Sequence, residues 1–166
     1  AMARAEIHSY DDLRLRFVES ILPDEVDVSL DFENDSLSDL NEMCRIIKPL
    51  SQLDREKLGA VVQFAKPEQA SEIVNLVKEL ERFDYAPKVH TPEEYGKYMI
   101  MESGHFEYDD NLSEYIDFTK YGQNRMEQEH GDFTDRGYVA YHGTLDLEEL
   151  LQGDPVESLS PQMKME

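Results

Sequence analysis

The chain of 166 residues contains one cysteine, no tryptophan and few basic side chains. Because Cys44 is the single cysteine, a disulfide within the chain is excluded, which agrees with a reducing compartment. No apolar run approaches the ~18 residues that a membrane span needs, and the N-terminus lacks the apolar region of a signal peptide. These absences predict a cytoplasmic protein that does not enter a membrane.

Motifs of metal binding and catalysis are also missing. The acidic stretch at residues 24 to 35, DEVDVSLDFEND, lacks the glycine and the final glutamate spacing of a calcium loop, and the five histidines show no zinc-binding spacing. No GxSxG turn or glycine-rich phosphate loop occurs, and a glycosidase would lack a tryptophan platform. Cys44 shares an apolar stripe with Leu40 and Ile47, so we expect it in the core. We expect no enzyme, cofactor or metal.

Basic side chains are greatly outnumbered by acidic ones in this chain. It carries 37 Asp and Glu against 16 Lys and Arg, a formal net charge of −21. Such an excess repels nucleic acid and anionic lipid and attracts basic surfaces, so direct DNA binding is not expected. Residues 101 to 166 hold 16 acids and 4 bases, whereas residues 51 to 100 hold 9 and 7. The pattern indicates a nearly neutral middle with acidic ends.

Hydrophobic periodicity predicts the elements of the first half. Leu13 and Phe17 indicate a helix over residues 10 to 21, and the alternation in residues 24 to 35 indicates a strand with one acidic face. Three further helical patterns follow, one of them starting at a Ser51 cap and one after Pro67. They predict a central helical bundle.

Capping and turn signals predict the elements of the second half. Thr91, Pro92 and Glu94 indicate a helix start and Gly104 its end. One or two short helices should follow Asn111, with a break near Gly122. Residues 131 to 143 indicate a hairpin whose turn, residues 134 to 137, ends in a glycine, and residues 145 to 151 an amphipathic stretch.

Together these patterns predict a helix-rich α+β fold, with a central helical bundle followed by a small C-terminal subdomain that contains the hairpin. The division is an N-terminal helix and strand at residues 1 to 35, the bundle at 36 to 90, the C-terminal subdomain at 91 to 150 and a polar, disordered tail at 151 to 166. The apolar content, 40% of residues, suffices for a folded core.

The spacing of the acids suggests how they could act. Helix positions three or four apart lie ~5–6 Å from each other, and same-face strand neighbours lie ~6.6 Å apart. Duplex DNA carries one charge per ~1.7 Å of axis, so −21 corresponds to about 36 Å of duplex. Acids held in folded structure or tight turns would therefore imitate phosphates. The candidates for phosphate mimicry are Glu93, Glu94, Glu102, Glu107, Asp109, Asp110, Glu114, Asp117, Glu127, Glu129, Asp132 and Asp135.

The C-terminal half resembles the ArdA antirestriction proteins of mobile genetic elements such as conjugative transposons. The strongest similarity is NLSEYIDF at residues 111 to 118, followed by Lys120, Tyr121 and Gly122. It continues through GDFT at 131 to 134 and into Gly137 and Tyr138. Upstream, the helical stretch from Leu37 and the sequence HTPEEYGKYMIMESG are similar to the family's central portion. The resemblance covers roughly residues 27 to 143.

The resemblance implies an elongated, mostly helical, often homodimeric protein that imitates B-DNA. Such a protein occupies the DNA-binding groove of type I restriction–modification enzymes and blocks both modification and restriction. No catalytic residue is implied, because function is spread over many acids.

Three departures from the family and two other functions accompany this interpretation. The N-terminal subdomain is shortened, Lys97 lies in an otherwise acidic helix, and the chain continues past Gly143.

One alternative is a regulatory module of a mobile element that binds a protein partner through an exposed patch around Tyr95, Tyr98 and Tyr115. The other is a DNA mimic aimed at another basic nucleic-acid enzyme, such as a CRISPR effector.

Overall fold

The computed structural model describes residues 20–153. The predicted helix over residues 10 to 21 lies mostly outside this range, and its two described residues, Ser20 and Ile21, are not helical. The predicted disordered tail, residues 151 to 166, lies outside this range from residue 154 onward, whereas its residues 151 and 152 are helical. Within the described range, the predicted helix-rich α+β class is confirmed.

Residues 24 to 35 do not form the predicted strand. They begin with a short helix, α1 (Asp24–Ser29), followed by a turn. The alternating pattern required Val26 and Val28 to face the same side, but Val26 is fully buried and Val28 is 86% exposed. Asp24, Glu25 and Asp27 lie in the first turn, where carboxylates interact favourably with the positive end of the helix dipole. A period of two over so few residues did not distinguish helix from strand.

The predicted central helices are present as α2 (Leu37–Ile47), α3 (Gln52–Ala65) and α4 (Ala70–Lys78). The Ser51 hydroxyl caps α3 by accepting a hydrogen bond from the Asp54 amide at 3.1 Å, as predicted. In α2, Met43 and Ile47 are buried, but Cys44 is exposed, so its expected place in the core is wrong. Adjacent helix positions differ by about 100°, and Met43 takes the inward position.

A strand that the sequence patterns did not reveal follows the bundle. After the 3-10 turn Leu80–Arg82 comes β1 (Phe83–Pro87), which pairs antiparallel with β3 (Gly137–Tyr141). The predicted hairpin is formed by β2 (Asp132–Thr134) and β3. Strand β3 is therefore the central strand of the order β1-β3-β2.

The sheet separates two hydrophobic clusters. Phe83 and Val139 pack into the larger cluster with the helices α2 to α4, whereas Ala86 and Tyr138 pack into the smaller one with Tyr95. Successive strand residues point to opposite faces, so β1 and β3 contribute to both cores. This arrangement ties the segment after residue 91 to the central helices.

The smaller cluster is completed by residues of α5 (Pro92–Lys97), a π-helical turn (Tyr98–Glu102) and α6 (Phe118–Glu129). An exposed 3-10 helix (Asp110–Tyr115) precedes α6 in the chain. Helix α6 runs through Gly122 without a break, contrary to the expectation from the sequence. The amphipathic stretch after Gly143 forms α7 (Leu147–Gln152), which Asp146 and Glu149 start with a capping box. None of the helices within residues 20–153 is long and apolar enough to cross a membrane.

Candidate acidic binding surface

Helix α5 fixes the first two candidate acids. Thr91 accepts a hydrogen bond from the Glu94 amide at 3.2 Å, and Pro92 is the first helical residue, as predicted. The Glu94 carboxylate in turn accepts from the His90 amide at 2.7 Å. Glu93 is paired with Lys97, whose Nζ lies 2.5 Å from Oε1. Lys97, one departure from the family, thus offsets the charge of Glu93.

An acidic segment, residues 102 to 117, follows this helix. Its six acids are all exposed, and no Lys or Arg occurs between Tyr98 and Thr119. Gly104, with a positive φ of 76°, ends the preceding turn, as predicted. The acidic segment contributes Glu102, Glu107, Asp109, Asp110, Glu114 and Asp117.

Two acids of this segment are held by the backbone. Asp109 accepts a hydrogen bond from the Asn111 amide at 2.9 Å, and Asp117 caps α6 by accepting from the Lys120 amide at 3.0 Å. Such bonds restrict the rotamers of the carboxylates in the free protein. These two acids are therefore ordered before any partner arrives.

The remaining exposed candidates lie on α6 and the hairpin. Glu127 is exposed on α6, and Asp132 accepts a hydrogen bond from the Phe133 amide at 2.8 Å. Asp135, in the turn, is anchored through its own amide, which donates to Gln63 Oε1 at 2.9 Å. The side chain of Asp135 is thereby left exposed at the end of the hairpin.

Glu129 differs from the other candidates. Its side chain is 17% exposed and forms an ion pair with Arg125. Its Oε2 accepts hydrogen bonds from Tyr95 at 2.5 Å and from Tyr138 at 3.1 Å. Burial, and then the bond and charge of Glu129, raise the pKa of Tyr95 well above its usual range. Glu129 thus holds together α5, α6 and β3.

The predicted aromatic patch is not present as expected. Tyr95 is only 3% exposed, and its ring stacks on Tyr138 with 4.0 Å between centroids. Tyr98 is partly buried, whereas Tyr115 is 83% exposed. Three other exposed apolar side chains, which the sequence patterns did not predict, precede Tyr115 in the chain. Their position in an acidic, loop-rich stretch was the one sequence signal for their exposure. They are Met101, Phe106 and Leu112.

The acids on α5 and α6 are positioned by a close helix contact. A Cβ on Gly96 would lie 2.0 Å from the Phe118 carbonyl oxygen, and one on Gly122 would lie 1.8 Å from the Pro92 carbonyl oxygen. Only hydrogen fits at both points, so the two backbones touch. Glycine at these positions lets α5, which carries Glu93 and Glu94, pack directly against α6, which carries Glu127.

Two findings concern how the titratable side chains are grouped. Within the described range, residues 20–153, no cluster of three or more His, Cys, Asp and Glu side chains could hold a metal ion. Tyr95, Arg125, Glu129 and Tyr138 converge through two hydrogen bonds and an ion pair, although the buried Arg125 Nε has no hydrogen-bond partner.

The sequence as a whole matches a family model over residues 5–140, which is most of the chain. That model describes the antirestriction protein ArdA. The chain belongs to the ArdA antirestriction family. The match begins at residue 5, earlier than residue 27, from which the sequence motifs indicated the resemblance. No curated protein matches the chain significantly.

Membership of the ArdA family has a direct functional meaning. ArdA antirestriction proteins are non-enzymatic inhibitors, and the family implies action against type I restriction–modification enzymes. The motif at residues 111 to 122 has a mixed role in the structure. Asp117 caps α6 and Gly122 forms the close contact with α5, whereas Leu112 and Tyr115 are exposed.

Proposed function

We propose that the chain inhibits type I restriction–modification enzymes by occupying their DNA-binding groove with a carboxylate surface. The surface comprises the exposed acids of residues 93 to 135. The observation that carries the proposal is the acidic segment, where six exposed acids occur without an intervening Lys or Arg. A groove that binds DNA must be basic, and its field attracts such a segment as it attracts phosphates.

Order in the free protein supports mimicry over simple solubility. Acids that only keep a protein soluble need no fixed position, whereas a DNA mimic benefits when its charges are already placed. Glu94, Asp109, Asp117 and Asp132 each accept a hydrogen bond from a backbone amide. Less side-chain entropy is then lost on binding.

Glu129 has a positioning role in this proposal. Its partners, two tyrosines and Arg125, leave it little exposed surface for a target. Eleven of the twelve candidate acids are exposed and remain as phosphate surrogates. Because the interaction is spread over many charges, a single neutralisation should have a small effect.

Competition with duplex DNA for a type I enzyme tests the proposal. The test variant carries Glu102→Gln, Glu107→Gln, Asp110→Asn and Glu114→Gln, which removes four charges from the acidic segment. The control carries Glu68→Gln, Glu81→Gln, Asp84→Asn and Glu148→Gln, four exposed acids elsewhere with the same residue types. We expect the test variant to need at least about 10-fold more protein to displace DNA, and the control at most about 3-fold more.

Salt provides a second measurement on the same proteins. Inhibition by the parent chain should weaken steeply as ionic strength rises, because exposed charges are screened. Equal inhibition by the two variants, with no salt dependence, would instead favour an apolar interface around Phe106 and Tyr115. Displacement of DNA from an unrelated nuclease, but not from a type I enzyme, would favour a decoy for another nucleic-acid enzyme.

We also propose that the chain forms a homodimer through the apolar side chains of the acidic segment. Phe106, Leu112 and Tyr115 are exposed within ten residues of one another. Exposed apolar patches on proteins commonly mark interfaces. Light scattering should give a dimer mass for the parent and a monomer mass for Phe106→Ser with Leu112→Ser. Leu53→Ser, at an exposed leucine in α3, serves as the control and should leave the mass unchanged.

A further inference from the structure

An apolar groove lies beside α2, far along the chain from the acidic segment. It has a volume of about 480 Å³ and is lined by side chains that include Leu30, Leu37, Leu40 and Met43. Leu30 and Leu37 are only partly buried although they line an apolar surface. Such a groove in a chain of net charge −21 calls for an apolar occupant.

The direction of the chain indicates what the occupant is. Ser20, Ile21 and Leu22, the first described residues, themselves line the groove. The described part of the chain therefore begins at the edge of the groove, next to the segment that precedes it in the sequence. A helix over residues 13 to 19 would span about 10 Å at ~1.5 Å per residue, which is within the reach of a groove of this size.

The sequence of this preceding segment is complementary to the groove. Leu13 and Phe17 are four residues apart, so in a helix they would share one side, whereas Leu15 would lie on the opposite side. The family match starts at residue 5, so the segment is inside the region that defines the family. We propose that residues 9 to 19 dock on the groove as an amphipathic segment, with Leu13 and Phe17 against Leu30, Leu37 and Leu40.

Docking of this kind makes the N-terminal segment part of the helical core. The groove becomes an intramolecular interface, and the apolar surface of α2 is closed without a partner protein. This inference is independent of DNA mimicry, since it involves none of the acids of residues 93 to 135.

Spin-label distances test the docking in the complete chain. Cys44 is the single cysteine, so Cys44→Ser gives a clean background for labels at Ser9→Cys and Arg45→Cys. Arg45 is chosen because its side chain is 70% exposed on α2. We expect one narrow distance distribution in the parent. Leu13→Ser with Phe17→Ser should broaden it, while Leu15→Ser, the matched control, should leave it narrow.

Two results would overturn the proposal. The first is a broad distribution in the parent, or equal broadening by the Leu15→Ser control. The second is a dipolar signal between singly labelled chains, Ser9→Cys mixed with Arg45→Cys, which would show that a second copy fills the groove. Circular dichroism of each variant verifies that the helices are retained, and the parent measurement is decisive even if a variant unfolds.

Discussion

Arg136, at the turn of the hairpin, donates two hydrogen bonds to Glu25 in α1, from Nε to Oε1 at 2.7 Å and from Nη2 to Oε2 at 3.0 Å. The pair crosses α3 at Gly59, where a Cβ would lie 2.5 Å from Arg136 Nε. Burial alone would raise the pKa of Glu25, but the bonds and charge of Arg136 outweigh it and lower the pKa. A single ion pair thus joins the first described helix to the C-terminal hairpin.

Glu25→Gln should lower the free energy of unfolding by about 1–2 kcal/mol at neutral pH, between the values typical of exposed and fully buried pairs. Because the pKa of Glu25 is lowered on folding, its contribution is present above the ordinary value of 4.5 and is lost as the pH falls below it. Urea unfolding at neutral and strongly acidic pH should therefore show a difference that shrinks with acidification. Glu42→Gln, which breaks an exposed ion pair within α2, should change the free energy of unfolding little. Equal effects of both substitutions would argue against a stabilising link between α1 and the hairpin.

Gly96→Ala and Gly122→Ala should each destabilise the contact between α5 and α6. Alanine normally favours a helix over glycine by up to ~1 kcal/mol. Here the added methyl group meets a backbone carbonyl at about 2 Å, so the helices must separate. We expect a net loss of about 1–3 kcal/mol in thermal unfolding, with weaker antirestriction. Gln123→Ala, at an exposed position of α6, is the control; stabilisation by either glycine substitution would contradict the packing.

Local signals in the sequence were sufficient for several elements. Ser51 and Thr91 were predicted as helix caps because a cap depends on residues within one turn. The hairpin was predicted because its turn is defined by four consecutive residues. The exposure of the acidic segment also followed from composition, since unpaired carboxylates are rarely buried.

Features that depend on distant partners could not be predicted. Strand β1 pairs with β3, more than fifty residues later, and Asp84 interrupts its apolar pattern. Gly122 indicated a helix break, yet its partner is Pro92 on another helix. Glu129 could not be distinguished from Glu127, because its tyrosine partners come from α5 and β3.

Glu129→Gln should destabilise the fold, whereas Glu127→Gln, two positions away and exposed, should not. Gln loses the ion pair with Arg125 and the charge that strengthens both tyrosine hydrogen bonds. Hydrogen bonds to charged groups contribute about 1.5–3 kcal/mol, so we expect a loss of about 1–3 kcal/mol in urea unfolding. Equal stability of the two variants would contradict the structural role of Glu129.

Alkaline titration should show that Tyr95 and Tyr138 resist ionisation in the folded protein. Burial, together with Glu129, raises the pKa of both hydroxyls far above 10, the ordinary value. Their neutral form is favoured by the fold, so this stabilisation is present below pH 10 and is lost as the pH rises further. Ultraviolet absorbance should show these two tyrosines ionising only on unfolding. Ionisation of all nine tyrosines in one step before unfolding would contradict this.

Helix α7 lies beyond the family match, which ends at residue 140. Substitutions at its contact with α4 test whether this extension belongs to the fold. Leu150 is buried against α4, and Asn75 Nδ2 donates to the Leu151 carbonyl at 2.9 Å. Leu150→Ala should lower the free energy of unfolding by about 2–4 kcal/mol, and Asn75→Ala by about 1 kcal/mol. Gln152→Ala, exposed on the same helix, is the matched control. Equal free energies of unfolding for Leu150→Ala and Gln152→Ala would show that α7 does not contribute to the stability of the core. The expected difference would show that the core of this chain extends beyond the matched region, because residues outside the family model complete the apolar surface of α4.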